Sequence, residues 1–394
     1  MKKRNNLLFL ILLFLGTYFP TSINGEINSG LMYLKLILFI LIASFLIIKQ
    51  KSINNFTVIS LMFILIILIT STLLSPAKEY AFGSLAFIMG FYMMIFVKFE
   101  NLKMEKIPEK FFLFFNFVTL FIGFSITTGN LFIGNFIINL FSNHKSFLVS
   151  SMIERNKPVI TFGSHSIAAL FIFCLFYMNY KFFQTDHKKL NLLFSMMYLT
   201  LLFFLQSNSG FLFLFLGMLL LSTQVLFKMK KIKIIFFIFA TFLLIILFGN
   251  TTFPFIQESY AQIHYNITSP VNGVLGRFGE ESGVLKINLN YIANNIFRPI
   301  GFSYQPGLIY TDSGLIEFVL RGSIFLPLII YFTFFTFLKR NLISKKSAYL
   351  IFTIFIITDA IIYPIIKFTT TFYLISAMII FLNTLEYQKN KRGD

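Results

Sequence analysis

Apolar runs of about 17 to 25 residues recur from Leu7 to the C-terminal region, and a run of that length crosses a hydrocarbon core of roughly 30 Å as a helix. Inside such a core each backbone group must find its partner within the protein. Helices meet that demand along a continuous apolar run, whereas barrel strands would alternate polar and apolar residues, and these runs do not alternate. The sequence therefore predicts an all-α fold, a polytopic integral membrane protein. With 57% of 394 residues hydrophobic and 12% charged, a water-soluble globular fold is excluded.

The spans are expected over 7–23, 31–48, 56–74, 80–97, 111–128, 162–180, 190–206, 210–227, 234–251, 314–338, 347–363 and 370–385, about twelve transmembrane helices. Lys2-Lys3-Arg4 ahead of the first run imitates a secretory signal, but no small-residue cleavage site follows, so the run reads as a retained first helix. No internal repeat divides the chain into matching halves, as many transporters show. Residues 1–394 read as a single integral-membrane domain with two sizeable loops on one side, over 129–161 and 252–313.

Orientation follows from the basic residues. With the N-terminus cytoplasmic, about two thirds of the 33 Lys and Arg fall in cytoplasmic segments, the arrangement that positive charge imposes during insertion. An even number of spans returns the C-terminus, with Lys389-Asn390-Lys391-Arg392, to the same side, and the two long loops face outward. The net charge of +18 is then mostly a topology signal with attraction to anionic membrane lipids; it gives nucleic acid no support as a partner. One cysteine, Cys174, lies inside an expected span, so neither a disulfide framework nor a thiolate metal site is available. The sequence has no Trp, so an interfacial aromatic belt would have to use Tyr.

The larger loop has internal order. Val284, Leu285, Leu289, Ile292 and Ile296 follow helical spacing while Lys286, Asn290 and Asn294 fall elsewhere on the turn, which predicts an amphipathic helix lying on the outer leaflet. Gly276-Arg277-Phe278 precedes it and Arg298-Pro299-Ile300-Gly301 follows, the proline ending the helical run.

Around these loops, over about residues 150–325, the chain resembles the O-antigen ligase and O-antigen or capsular polysaccharide polymerase (Wzy-type) superfamily. Arg155 is followed by Thr161-Phe162-Gly163-Ser164-His165-Ser166; Gly276-Arg277 precedes a helix of about twenty residues closing in Arg298-Pro299-Ile300-Gly301-Phe302; Asp312-Ser313-Gly314-Leu315, then Glu317 and Arg321-Gly322, is similar to the way the family's next span begins. The ligases usually carry His-Asn where this chain has Thr311-Asp312-Ser313, and the aspartate form is closer to the polymerases. The resemblance implies a bacterial cytoplasmic-membrane enzyme that transfers glycan from undecaprenyl diphosphate to a lipid-linked repeat unit, and it allows a chain-length regulator protein as a further partner.

In that chemistry the leaving group is a lipid diphosphate, and guanidinium groups bind phosphate oxygens in a forked geometry while staying charged at any relevant pH. Arg277 and Arg155 are the expected diphosphate ligands, with Asp312 and His165 as candidate bases. Arg298, Glu280, Glu281, Glu317, Arg321 and Tyr304 are candidate substrate-binding groups. The aspartates, Asp186, Asp312, Asp359 and Asp394, form no paired metal motif, and no cofactor is expected.

Plainer roles stand beside these. Arg155 and Arg277 could anchor loops on anionic lipid heads, and Arg298 could satisfy helix-end carbonyls. Glu317 and Arg321, four apart, suit a local ion pair; His165 suits a hydrogen bond within the bundle, and Asp312 a helix cap. Asp359 and Lys35 fall inside expected spans, where an ionisable group is costly, and Asp359 is expected to form a structural pair close to Lys367. Two other functions remain open: a ligase moving finished glycan to another acceptor, and a lipid-linked oligosaccharide flippase, which should line a central cavity with charges from many spans.

Overall fold

The structure, a computed structural model, describes residues 2–24, 26–50, 53–75, 79–80, 83–141, 165–228, 284–295, 298–304, 308, 313–362 and 365–392. The expected span over 234–251 lies outside the described residues. Helices make up most of what is described, as the apolar runs predict. Among the described residues, five helices are long and apolar enough to cross a membrane: α2 (Ser29–Gln50), α3 (Asn55–Leu74), α5 (Glu109–Thr127), α7 (His165–Asp186) and α14 (Thr369–Arg392). Shorter apolar stretches lie in α1 (Lys2–Thr17), α4 (Gly83–Phe96), α6 (Leu131–Phe141), α8 (Lys189–Phe204) and α9 (Asn208–Lys228).

Burial runs opposite to that of a water-soluble protein. α2 exposes Ile37, Leu41, Phe45 and Ile48, and α3 exposes Ile59, Phe63, Ile66 and Ile69, stripes at helical spacing that suit contact with lipid. Polar side chains are drawn inward instead, and the protein is read as spanning a membrane.

The chain divides into two compact units, one formed by residues 1–20, 29–109 and 277–394, the other by residues 21–28 and 110–276. In the first, α14 is the central element and packs on α1, α2 and α4. Its run from Phe372 to Leu382 is buried on every side, and a helix apolar all round belongs in the interior. Gly16 makes room for the Tyr373 ring and Gly90 for Leu36 and Phe372, small residues that let helices approach.

This unit has two distinguishable ends. At one, Gln388 Nε2 donates to Glu105 O at 2.9 Å and Asn6 Nδ2 to Lys103 O at 3.5 Å, so the first turns of α1 and the last turns of α14 lie there. Phe99 N donates to Asn341 Oδ1 at 2.6 Å and Arg340 to Ile95 O at 3.0 Å at the same end. Lys49, Lys98, Lys103, Lys339, Lys345 and Lys389 all fall on it by their place in the helices and loops, a basic end on one side of the apolar belt. At the opposite end Lys35, 1% exposed, donates to Thr17 O, Phe19 O and Thr370 Oγ1 at 3.2, 3.1 and 2.7 Å. Its ammonium thereby satisfies carbonyls left open where α1 stops.

Two expectations need correction. The single span over 314–338 is two helices, α11 (Gly314–Gly322) and α12 (Phe325–Asn341). They part at Ser323, whose φ of 60° takes the backbone out of the helix; Gly322 has no room for a side chain against Leu326 and Ile67. The span over 347–363 is α-helical only as α13 (Lys345–Ile357), then widens into a π turn over Thr358–Ile362, and a 3-10 turn over Ile365–Lys367 leads to α14. The loop over 129–161 holds α6, capped by Asn130 Oδ1 accepting from Ile133 N at 3.1 Å.

In the second unit α7, α8 and α9 pack mutually. Asn116 on α5 and Asn179 on α7 exchange amide hydrogen bonds at 3.1 and 2.9 Å, and Tyr198 on α8 donates to Asn116 Oδ1 at 2.8 Å. Buried amides that satisfy each other hold three helices in register where the hydrophobic effect gives little specificity. The described residues contain only two-residue strands: β1 (Ser22–Ile23) with β2 (Glu26–Ile27), and β3 (Glu79–Tyr80) with β4 (Ser303–Tyr304), both antiparallel.

Candidate functional site

In the first unit the polar segment of the chain meets the membrane helices around α11. α11 starts at Ser313, whose Oγ accepts from Ile316 N at 3.3 Å and donates to Ala360 O at 2.5 Å. The capping role considered for Asp312 thus belongs to Ser313. A side chain at Gly314 would occupy the place of the Asp359 carboxylate. Glycine there lets the π turn bring a buried carboxylate onto the first turn of α11, and Tyr331 on α12 donates to Asp359 Oδ2 at 2.6 Å.

One turn along, Glu317 and Arg321 form the expected i,i+4 pair, with Arg321 Nε 3.1 Å from Glu317 Oε1. They are 2% and 4% exposed, so the pair is an interior one. Lys367, 34% exposed, pairs with Glu317 Oε2. Two cations thus share one carboxylate, and the excess positive charge reaches the surface through Lys367. Burying these charges is tolerable because each meets an opposite charge or a carbonyl.

The same pair holds the end of the polar segment. Arg321 Nη1 donates to Gly301 O at 2.9 Å. In return Ile300 N donates to Leu320 O and Gly301 N to Arg321 O, both at 2.9 Å, closing carbonyls at the C-terminal end of α11. Phe302 N donates to Thr72 Oγ1 on α3 at 2.8 Å, and Ser303-Tyr304 pairs with Glu79-Tyr80. Gly301 has a φ of 57°, and a Cβ there would collide with Thr72 and with Leu68 O. This one glycine answers two demands, a left-handed backbone and close approach.

Among the described residues the amphipathic helix α10 covers Val284–Asn294, ending before Arg298, where it was expected to close. Asn295 stops it; its Nδ2 donates to Tyr291 O and its O accepts from Arg298 N. Asn288 is buried, while Ile287, Leu289, Asn290 and Asn294 are exposed. Burial pushes the Tyr291 hydroxyl pKa up from its ordinary value.

Of the expected site residues, Arg155, Arg277, Asp312, Glu280 and Glu281 lie outside the described residues. Glu317 and Arg321 are brought together, and Arg298, exposed, lies two residues before the bonds to α11. Tyr304 is a β4 residue whose backbone pairs with Glu79. His165 is the first residue of α7, half-buried, in the second unit. Sequence reasoning missed the roles of Lys367, Gly301 and Thr72. Lys367 was visible as a cation near a span end, whereas nothing in the spacing of Thr72 marks it.

Next to Asp359 a cavity of about 30 Å³ is lined by Phe91, Tyr331, Phe334, Phe355 and Phe372 among others. Among the described residues no group of three or more His, Cys, Asp or Glu is placed to hold a metal ion. Comparisons with protein-family models, with curated proteins and with solved structures find no match to this chain.

Proposed function

We propose that the protein is an integral-membrane glycosyltransferase, a polysaccharide polymerase that moves glycan from an undecaprenyl-diphosphate donor onto a lipid-linked repeat unit. In this reading it sits in the bacterial cytoplasmic membrane, with both termini cytoplasmic and the Arg298–Tyr304 end of the first unit on the outer face. The observation that carries the proposal is the junction at α11. A polar segment is docked onto membrane helices by buried charge, and two cations, Lys367 and Arg298, reach the surface at that junction. A lipid diphosphate needs cationic groups where an aqueous segment meets the bilayer.

Arg277 and Arg155 grip the donor diphosphate in this reading, and stabilising charge that grows on the leaving group is the main catalytic contribution. Asp312 or His165 takes the proton of the acceptor hydroxyl. Glu317 and Arg321, buried and mutually satisfied, hold the segment in place, and Arg298 is the group of that region that faces substrate. Glu280, Glu281 and Tyr304 serve the sugar. A ligase acting on another acceptor would use the same groups.

The flippase reading draws on a different observation, the π turn that carries buried Asp359, since broken helices with ionisable groups recur in transporters. Against it, the cavity beside Asp359 is far smaller than the several hundred Å³ that a ligand of sugar size fills.

The test is purified protein in lipid nanodiscs with a lipid-linked repeat unit, products being separated by length. Wild type is expected to give a ladder and Arg277→Ala to lose it. Arg277→Lys, which keeps charge but not the fork, is expected to fall well below wild type. No ladder with wild type, or an equal ladder with Arg277→Ala, rejects the polymerase.

A further inference from the structure

α6 has 11 residues, about 16 Å of helix at 1.5 Å per residue, half of what a hydrocarbon core requires. It cannot cross, yet it is apolar on two sides. One face, Gly134, Ile137, Ile138 and Phe141, is buried and packs with Ile126 of α5. Outside that face Leu131, Phe132 and Phe136 stay exposed, Phe132 by 82%.

The helix is firmly held. Thr21 N donates to Leu140 O at 2.9 Å and Ser22 Oγ to Asn139 O at 3.3 Å, so the β1–β2 hairpin closes carbonyls at its C-terminal end. Asn130 caps its start. An exposed aromatic pair on a helix fixed at both ends is a built surface.

Its place and its angular pattern indicate what covers it. α5 exposes Leu113, Phe114, Phe117 and Phe121, a stripe facing lipid. The turn Thr128 to Asn130, with Gly129 at a φ of 78°, then starts α6 where α5 leaves the apolar belt. At 100° per residue, Phe136 lies about 40° to one side of Phe132, and Asn139 and Asn135 about 20° and 60° to the other. Asn139 thus shares the aromatic face, and Asn135, about 100° from Phe136, is the exposed polar side chain that lies off it, while the aromatic pair continues the lipid-facing stripe of α5 at the edge of the apolar belt.

We infer that α6 is an interfacial helix that sinks Phe132 and Phe136 among the phospholipid acyl chains at its end of the second unit, with Asn135 turned toward the headgroups. The inference does not depend on the enzymatic reading. It makes part of the loop over 129–161 a membrane-bound element.

The chain has no Trp, so Phe132→Trp and Asn135→Trp each introduce a single reporter. Each variant is reconstituted in phosphatidylcholine vesicles, with and without acyl-brominated phosphatidylcholine. The Trp at 132 should emit in the blue and lose roughly twofold or more of its intensity to the brominated lipid, and the Trp at 135 should lose clearly less. Phe136→Trp repeats the first result should the substitution at 132 hinder folding. A Trp at 132 and 136 quenched by aqueous iodide instead, or shielded from both quenchers by a second copy or another protein, overturns the inference. Equal quenching by lipid at 132 and 135 does the same.

Discussion

Removing the Glu317 carboxylate tests whether the buried charges at α11 hold the polar segment. In Glu317→Leu the Arg321 guanidinium, 4% exposed, loses its carboxylate and keeps the Gly301 carbonyl. Breaking a buried pair from one side costs about 3 to 5 kcal/mol because the other charge is left uncompensated. Lys367, a third exposed, can rehydrate and adds little, so the lower figure, about 3 kcal/mol, is expected. Arg321→Leu added to that variant removes the stranded charge. The double variant then loses the Arg321 bond to Gly301 O, about 1 kcal/mol, and should be more stable than Glu317→Leu alone. Two assays read this: equilibrium unfolding in mixed micelles, and hydrogen exchange at Ile300 and Gly301, whose amides bond to Leu320 O and Arg321 O. At 1.4 kcal/mol per decade, exchange of those amides should quicken by about a hundredfold in Glu317→Leu, with partial recovery in the double variant. Costs that simply add in the double variant, or unchanged exchange at Ile300 and Gly301, would refute the argument.

Gly301→Ala should destabilise the first unit by several kcal/mol, since a left-handed residue with a Cβ costs about 1 kcal/mol and the collision with Thr72 and Leu68 O adds to it; thermal unfolding in nanodiscs measures the loss, and a variant within a degree of wild type contradicts the geometry. Tyr291, outside the spans, should give a pH signature. Its folded pKa is raised by burial, so its contribution is complete below the unfolded value of about 10 and fades as pH rises through the folded one. Between pH 9 and pH 11, an interval of about two units, wild type should therefore lose more stability than Tyr291→Phe, and parallel curves would show that the hydroxyl is not shielded.

The proposed catalytic pair Arg155 and Arg277 was legible only as motif residues, because a cation in a loop carries no periodicity that fixes its neighbours. Glu317 and Arg321 were legible as a pair, since four residues on a helix place two side chains on one face. That the pair is interior, that Lys367 completes it and that it grips Gly301 was not legible. Those contacts join α11 to segments 20 and 50 positions away in sequence, and no local pattern encodes such a meeting.

By itself the sequence determined the class of fold, because a long apolar run has one way to satisfy its backbone in lipid, and it placed the interruptions in charge from which topology is read. Span lengths were less secure: 314–338 looked continuous, yet Ser323 breaks it, since apolar residues are equally at home in one helix or two. Tertiary structure alone decided which polar groups inside the bundle meet. Lys35 reaches Thr370, Asn116 reaches Asn179 and Asp359 reaches Tyr331. In an apolar medium a polar side chain must find some partner, but which one it finds is set by how helices distant in sequence are packed.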